Sequence, residues 1–85
     1  MNMDIIVRDQ SGMDFKRSLP DGAVVDCVTD EDMRMIYDAI CDRLPLNCTV
    51  FKTFNARKNE WIVEVCDSAR DYKTKPIWTG IFKRA

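Results

Sequence analysis

The chain has 85 residues, of which 46% are hydrophobic and 32% are charged, and its formal net charge is −1. This length predicts a single domain over residues 1–85 with one hydrophobic core, and the composition excludes a disordered tail. No apolar run approaches the roughly 20 residues needed to span a bilayer. The N-terminus lacks a basic region followed by a long apolar one, so we expect a cytoplasmic protein without a secretion signal.

The first part of the chain predicts short strands joined by turns. Met3 to Arg8 alternates apolar residues as a first strand, and Asp14 to Leu19 can pair back on it across a turn that contains Gly12. The run Pro20-Asp21-Gly22 is a strong turn signal. A short extended segment from Ala23 to Val28 follows this turn and leads directly to the start of a helix.

The helix is predicted from Thr29 to Leu44. The hydroxyl of Thr29 can cap it, and the three acidic residues that follow place negative charge at the positive end of the helix dipole. Pro45 disfavours helical geometry at Leu44 and ends the run. Apolar residues recur at three- and four-residue steps and share one face of the helix: Met33, Ile36, Tyr37, Ile40 and Leu44. Another element must cover this face.

Three further strands are predicted after the helix. Cys48 to Phe54 and Glu60 to Cys66 are rich in β-forming residues and form a hairpin across a polar loop. A polar segment from Asp67 to Lys75 leads to a last strand from Ile77 to Lys83, in which Gly80 indicates a bulge or the close approach of another backbone. The sequence thus predicts an α+β fold: an antiparallel sheet of five or six short strands, in the order ββ(β)αβββ, with the helix packed on one face.

The residues that common catalytic mechanisms require are missing. There is no histidine, which removes the commonest general base and every Ser-His or Cys-His pair, and no glycine-rich phosphate-binding motif occurs. The four cysteines, Cys27, Cys41, Cys48 and Cys66, form no CxxC pair. They could form two disulfides, but we expect them to be free thiols that are buried as packing residues. Cys27 is the least implausible nucleophile. We therefore predict no enzymatic activity, no catalytic residue and no cofactor.

Four acidic residues near the helix start suggest a metal site as an alternative: Asp26, Asp30, Glu31 and Asp32. Carboxylates are the ligands that Mg²⁺ and Ca²⁺ prefer. However, the spacing lacks the alternate ligands, the glycine and the distal glutamate of a calcium loop. Helix capping and a solvated first turn explain three of the four acids, so we expect no metal site.

Charge is divided unevenly along the chain. Residues 1–45 carry ten acids and five bases, a net charge of −5, whereas residues 46–85 carry four acids and eight bases, a net charge of +4. Cations beside aromatic rings are typical of proteins that bind single-stranded nucleic acid. The alternative function is therefore nucleic-acid binding through the C-terminal β-hairpin and loop, with these residues: Phe51, Lys52, Phe54, Arg57, Lys58, Trp61, Arg70, Tyr72, Lys73, Lys75, Trp78, Lys83 and Arg84.

Two observations oppose the nucleic-acid hypothesis. The domain as a whole is slightly acidic, unlike the basic footprint that such proteins carry. In addition, several of the rings are needed to fill the core under the helix, where we expect Trp61, Trp78 and either Phe51 or Phe54.

Several strands carry apolar residues on both faces. Ile62 lies on the opposite face from Trp61 and Val63, and Phe82 lies on the opposite face from Ile81. One helix covers one sheet face, so a second apolar surface is expected, and such surfaces usually mark an interface. The other arrangement is a sheet that curls into a partial barrel and buries both faces itself. We predict a small non-enzymatic protein-binding module, an inhibitor, adaptor or regulator of a larger macromolecule, that binds another protein or a second copy of itself.

The candidate contact residues come from the acidic helix start and from the basic segment of residues 57–75: Asp30, Glu31, Arg34, Arg57, Lys58, Arg70 and Lys73. We expect no membrane and no small-molecule ligand as partner. Small histidine-free chains without a site of their own are often accessory proteins of phages and mobile elements, and we predict such an origin on this frequency alone.

Overall fold

The computed structural model describes residues 2–8, 11–44, 46–68 and 75–85. The predicted α+β class and the order of the elements are confirmed. In chain order the elements are β1 (Asn2–Arg8), β2 (Asp14–Pro20), β3 (Ala23–Val28), α1 (Asp30–Arg43), β4 (Cys48–Asn55), β5 (Glu60–Asp67) and β6 (Trp78–Arg84).

The strands are divided between two sheets. β1 and β2 form an antiparallel hairpin, and the other four strands form a second sheet in the order β3-β6-β5-β4. β3 runs parallel to β6, whereas β6 and β4 both pair antiparallel with β5. β3 and β4 therefore run in the same direction, and α1 crosses from one edge of the sheet to the other. The structure thus differs from a single antiparallel sheet, because alternation shows which face a residue occupies but not which strand lies alongside.

The helix begins and ends where the sequence predicts. The Oγ1 atom of Thr29 accepts a hydrogen bond from the backbone N–H of Asp32 at 3.0 Å, which caps the N-terminus. Leu44 has extended dihedral angles and closes the last turn, donating its N–H to the carbonyl oxygen of Cys41. Among the described residues, no helix is long and apolar enough to cross a membrane.

The predicted turn at Pro20-Asp21-Gly22 fastens the hairpin to β6. Gly22 has a φ of +82°, which glycine adopts without steric cost, and its N–H donates to the carbonyl oxygen of Thr79 at 2.7 Å. The N–H of Thr79 donates in return to Oδ1 of Asp21 at 2.8 Å. In the interior, the indole Nε1 of Trp78 donates to the carbonyl oxygen of Leu19 at 3.0 Å. These bonds hold the hairpin and the four-stranded sheet together.

One core joins the hairpin, the helix and one face of the four-stranded sheet. Its buried apolar residues are Met3, Ile5, Leu19, Val28, Met33, Ile36, Ile40, Val63, Val65, Trp78 and Phe82. Trp78 fills the core as predicted, and Trp61 packs against its margin. The expectation that Phe51 or Phe54 fills it is wrong, since these rings are 52% and 42% exposed. Phe82, which alternates onto the inner face of the central strand β6, takes that place.

Gly80 makes room for an aromatic ring. It lies in regular register, opposite Val63 on β5 and Ala23 on β3, so it marks no bulge. A Cβ atom at this position would collide with the ring of Trp78 and press on that of Phe82. These rings are two residues away on the same strand and therefore share its face. Side-chain packing, and not the approach of another backbone, explains the glycine.

All four cysteines are free thiols, but the expectation that they are buried is wrong. Cys27 and Cys41 are exposed, and Cys48 and Cys66 are half-buried. Cys27 lies where the register of β3 shifts between Val25 and Val28, and its φ is +57°. The bulge interrupts the alternation of the strand and turns this side chain away from the core.

Candidate functional site

The four-stranded sheet has one face on which no other described element packs. The hairpin and the helix both contribute to the single core, which lies on the other face. Residues paired in register share a face, so Val24, Ile81, Ile62 and Thr53 form one row across all four strands. Val24 is 54% exposed, and both isoleucines are half-buried. The sheet therefore presents an apolar surface to solvent.

Phe51 extends this row at the β4 edge. Its ring is 52% exposed, and it lies opposite Glu64, which places it diagonally next to Ile62. We call Val24, Phe51, Ile62 and Ile81 the apolar stripe. Polar rows flank the stripe on both sides: Thr79 and Glu64 on one, Lys83, Glu60 and Asn55 on the other. An apolar centre with a polar rim is the usual organisation of a protein interface.

The inner face of the sheet carries an aromatic and cationic cavity beside the helix start. The rings of Phe54 and Trp61 pack at a tilt of 60°, with centroids 5.5 Å apart. The guanidinium carbon of Arg84 lies 5.8 Å from the centroid of the Phe54 ring. The cavity has a volume of about 360 Å³, and its wall also includes Asp30, Met33, Arg34 and Lys52.

Lys52, the cation of β4, lies over an aromatic ring of the helix. Its Nζ atom is 4.7 Å from the centroid of the Tyr37 ring, within the range of a cation–π contact. Burial raises the pKa of the Tyr37 phenol, and the neighbouring Cys41 thiol adds to the shift. The phenol therefore stays neutral at physiological pH, and Lys52 pairs with a ring and not with a phenolate.

Arg84 joins the helix start to the tip of the β4–β5 hairpin. Its Nε and Nη2 atoms donate to the two carboxylate oxygens of Asp30 at 2.8 and 3.1 Å. Its backbone N–H donates to the carbonyl oxygen of Asn59 at 2.9 Å, and Nδ2 of Asn59 donates back to the carbonyl oxygen of Arg84 at 3.4 Å. The acidic helix start and the basic hairpin tip thus lie at the same end of the molecule.

This arrangement brings together most of the contact residues predicted from the sequence: Asp30, Glu31, Arg34, Arg57 and Lys58. Arg57 and Lys58 are exposed on the hairpin turn, where their backbone N–H groups donate to Oδ1 of Asn55 at 3.1 and 3.3 Å. The other two predicted residues, Arg70 and Lys73, lie outside the described residues.

The aromatic residues proposed for nucleic-acid binding are divided between surfaces. Trp78 is fully buried, Phe54 and Trp61 lie on the helix side, and Phe51 lies on the opposite face of the sheet. Successive bases of a single strand stack on rings that share one surface beside cations. In the cavity, the Arg84 guanidinium that lies 5.8 Å from the Phe54 ring is already bound by the carboxylate of Asp30. The described members of the set therefore do not form one platform, and Tyr72 lies outside the described residues.

The acids considered as metal ligands are also separated by their roles. Asp30 binds Arg84, the backbone of Asp32 takes part in the helix cap, and Asp26 lies in the β3 bulge. Across residues 2–8, 11–44, 46–68 and 75–85, no group of three or more histidine, cysteine, aspartate or glutamate residues is arranged to hold a metal ion.

A groove of about 420 Å³ separates the β1–β2 hairpin from β3 and the helix. Its floor is apolar, with Val7 and Phe15 on the hairpin side and Ile36 on the helix side. Cations and acids line opposite walls: Lys16 and Arg17 on the hairpin, Asp26 and Asp32 on the other side. Cys27, which is the least implausible nucleophile in the sequence, also lines this groove.

Sequence reasoning anticipated a second apolar face but not its composition. Ile62 and Ile81 were recognisable from strands that are apolar on both faces, whereas Val24 joins them only because β3 pairs with β6.

A comparison of the chain with protein-family models, with curated proteins and with solved structures finds no match. The functional argument therefore depends on the surfaces described above.

Proposed function

We propose that this protein is a small non-enzymatic protein-binding module that docks a partner protein on the open face of its four-stranded sheet. The observation that supports this is the apolar stripe, which crosses all four strands. A chain of 85 residues has a thin stability margin. Val24 and Phe51 are 54% and 52% exposed, so each forgoes roughly half of the 1.5–3 kcal/mol that full burial of such a side chain contributes. Burial against a partner recovers this free energy.

The rim of the stripe indicates what kind of partner fits. Glu64 flanks the stripe on one side and the exposed Lys83 flanks it on the other, where Glu60 is buried. Charges at the rim of an interface orient the partner and speed its approach more than they add affinity. The partner is a protein with an apolar centre and charges of both signs around it. The four free thiols are consistent with a reducing compartment such as the cytoplasm.

Nucleic acid fits this face less well. Lys83 is the cation that flanks the stripe, with Glu64 on the other side, whereas phosphate contacts from several cations supply most of the affinity in nucleic-acid complexes. The exposed cations Arg57 and Lys58 lie at the hairpin tip, away from the apolar row. The proposed role as an inhibitor, adaptor or regulator rests on this docking, because binding would cover a surface of the partner.

The proposal is tested by affinity purification from the cells that produce the protein, with and without nuclease treatment. Val24→Glu and Ile62→Thr alter the stripe, and Leu46→Glu is the matched control, since Leu46 is an exposed apolar residue outside the strands. Circular dichroism verifies that each variant is folded. We expect a stoichiometric, nuclease-resistant protein partner with the wild type and with Leu46→Glu, and at least about tenfold weaker capture with both stripe variants.

Two results would overturn the proposal. One is a protein partner that the stripe variants retain as well as the wild type does. The other is capture that nuclease abolishes and that reversal of Arg57 and Lys58 to glutamate removes, which would establish the nucleic-acid alternative. Binding of the latter kind would also weaken steeply as the salt concentration increases.

A further inference from the structure

The two edge strands of the four-stranded sheet differ in how they are protected. On β3, the register shifts between Val25 and Val28, and Asp26 and Cys27 are exposed there. A bulge and an exposed charge are devices that prevent a sheet edge from pairing with another chain. β4, in contrast, pairs with β5 without a shift from Cys48 to Asn55.

Along its eight residues the edge strand β4 has no bulge and carries one exposed charge, that of Lys52. Its sequence, CTVFKTFN, contains no proline and one charged residue, Lys52, whose ammonium group is engaged with the Tyr37 ring. Among the described residues, no backbone group pairs with the outer edge of β4. A long and regular edge whose one charge is held at a ring of the helix is a template for pairing with another strand.

We propose that β4 pairs antiparallel with β4 of a second copy of this chain, so that two four-stranded sheets join into one continuous sheet. This deepens the proposed function, on which it rests, by naming a second copy as one of the proteins bound. The contact is isologous: a two-fold axis perpendicular to the sheet relates the copies and keeps both open faces on the same side.

The side chains of β4 select the position of this axis. With the axis at Phe51, the ring faces Phe51 of the second copy, Thr49 faces Thr53 of that copy, and Val50 faces its Lys52. Aromatic and threonine pairs across strands stabilise a sheet. An axis at Lys52 would place two ammonium groups opposite each other, which is destabilising. An axis at Val50 would pair fewer residues of the strand.

Pairing at Phe51 also connects the two apolar stripes. Phe51 ends the stripe at the β4 edge and is 52% exposed. In the pair, each ring covers the other, and the row continues from Ile62 of one copy to Ile62 of the other. The two stripes then form one apolar surface on a single face of the joined sheet, available to the partner protein of the proposed function.

The test places charged residues at the two-fold axis and measures dimerisation by sedimentation velocity over a range of protein concentrations. We expect the wild type to dimerise and Phe51→Glu and Phe51→Lys each to raise the dissociation constant at least about tenfold, because like charges then face each other. An equimolar mixture of the two variants restores a dimer, since glutamate then faces lysine. Leu46→Glu is the matched control and dimerises as the wild type does.

A second measurement guards against misfolding of the charged variants. In the wild type, hydrogen exchange of the outward-facing β4 amides slows as protein concentration rises. In Phe51→Glu it does not, while the amides of β5 and β6 stay as protected as in the wild type, which shows that the variant is folded. A wild type that is monomeric throughout, charged variants that dimerise normally, or a mixture that stays monomeric would each overturn the proposal. Val24→Glu separates it from the proposed function, because this variant keeps the dimer while it loses the foreign partner.

Discussion

Arg84 binds Asp30 through two hydrogen bonds, from Nε to Oδ1 at 2.8 Å and from Nη2 to Oδ2 at 3.1 Å, and so joins the last strand to the first turn of the helix. The geometry is bidentate, but the side chains are 43% and 66% exposed. Water therefore screens much of the attraction, and exposed ion pairs of this kind contribute about 0.2–1 kcal/mol.

A double-mutant cycle measures this contribution. We expect Asp30→Ala and Arg84→Ala to show a coupling of about 0.5 kcal/mol in the free energy of unfolding, obtained by urea denaturation. The cycle is needed because Arg84 also lies near the Phe54 ring, so that its single substitution removes two contacts. A coupling above about 2 kcal/mol would show that the pair is buried more deeply than the structure places it.

Thr29 is the second test of the helix start. Its Oγ1 atom accepts the backbone N–H of Asp32 at 3.0 Å, so Thr29→Ala leaves that donor without its capping partner. The expected loss is about 1 kcal/mol in the free energy of unfolding, measured by urea denaturation. Thr29→Ser keeps the hydroxyl and is the control, with most of the stability retained. Equal losses in both variants would contradict the capping role.

The bond from Trp78 to Leu19 links the hairpin to the four-stranded sheet through the interior. Trp78→Phe removes the indole donor, leaves the Leu19 carbonyl oxygen without its partner and opens space in the core. We expect a loss of about 2–4 kcal/mol in the free energy of unfolding. Trp61→Phe is the matched control, because Trp61 is only half-buried and packs at a tilt of 60° against the ring of Phe54. A similar loss in the two variants would contradict the role assigned to Trp78.

The helix could be predicted because its signals are local. Thr29 is a cap by its chemistry, and the spacing of Met33, Ile36 and Ile40 defines a buried face whatever that face packs on. Strand bounds were predictable for the same reason, since alternation extends over a few adjacent residues. These features do not depend on distant parts of the chain.

Pairing between distant strands could not be predicted. Nothing in the alternation of Ala23 to Val28 shows that β3 lies parallel to β6. For the same reason the stripe was recognised only at Ile62 and Ile81, and Val24 became part of it through that pairing. Arg84 was one of many cations in the sequence, and only the folded chain places it on Asp30. Long-range neighbours set these relationships.

Gly80 provides a prediction about packing that sequence reasoning could not make. In Gly80→Ala the new methyl group would collide with the ring of Trp78 and press on that of Phe82, which are both fully buried. Overpacking of a core typically costs about 1–3 kcal/mol, so we expect a loss of this size in the free energy of unfolding.

Thr79→Ala is the control for this substitution, because Thr79 is the adjacent residue on the opposite face of β6 and keeps its backbone bond to Asp21. The near-ultraviolet circular dichroism of Gly80→Ala should also change, since the displaced ring of Trp78 loses its fixed surroundings. If Gly80 instead served only to let the strand bend, Gly80→Ala would leave this spectrum as it is in the wild type. A changed spectrum together with lower stability would establish that a glycine is needed at position 80 to leave space for the indole of Trp78.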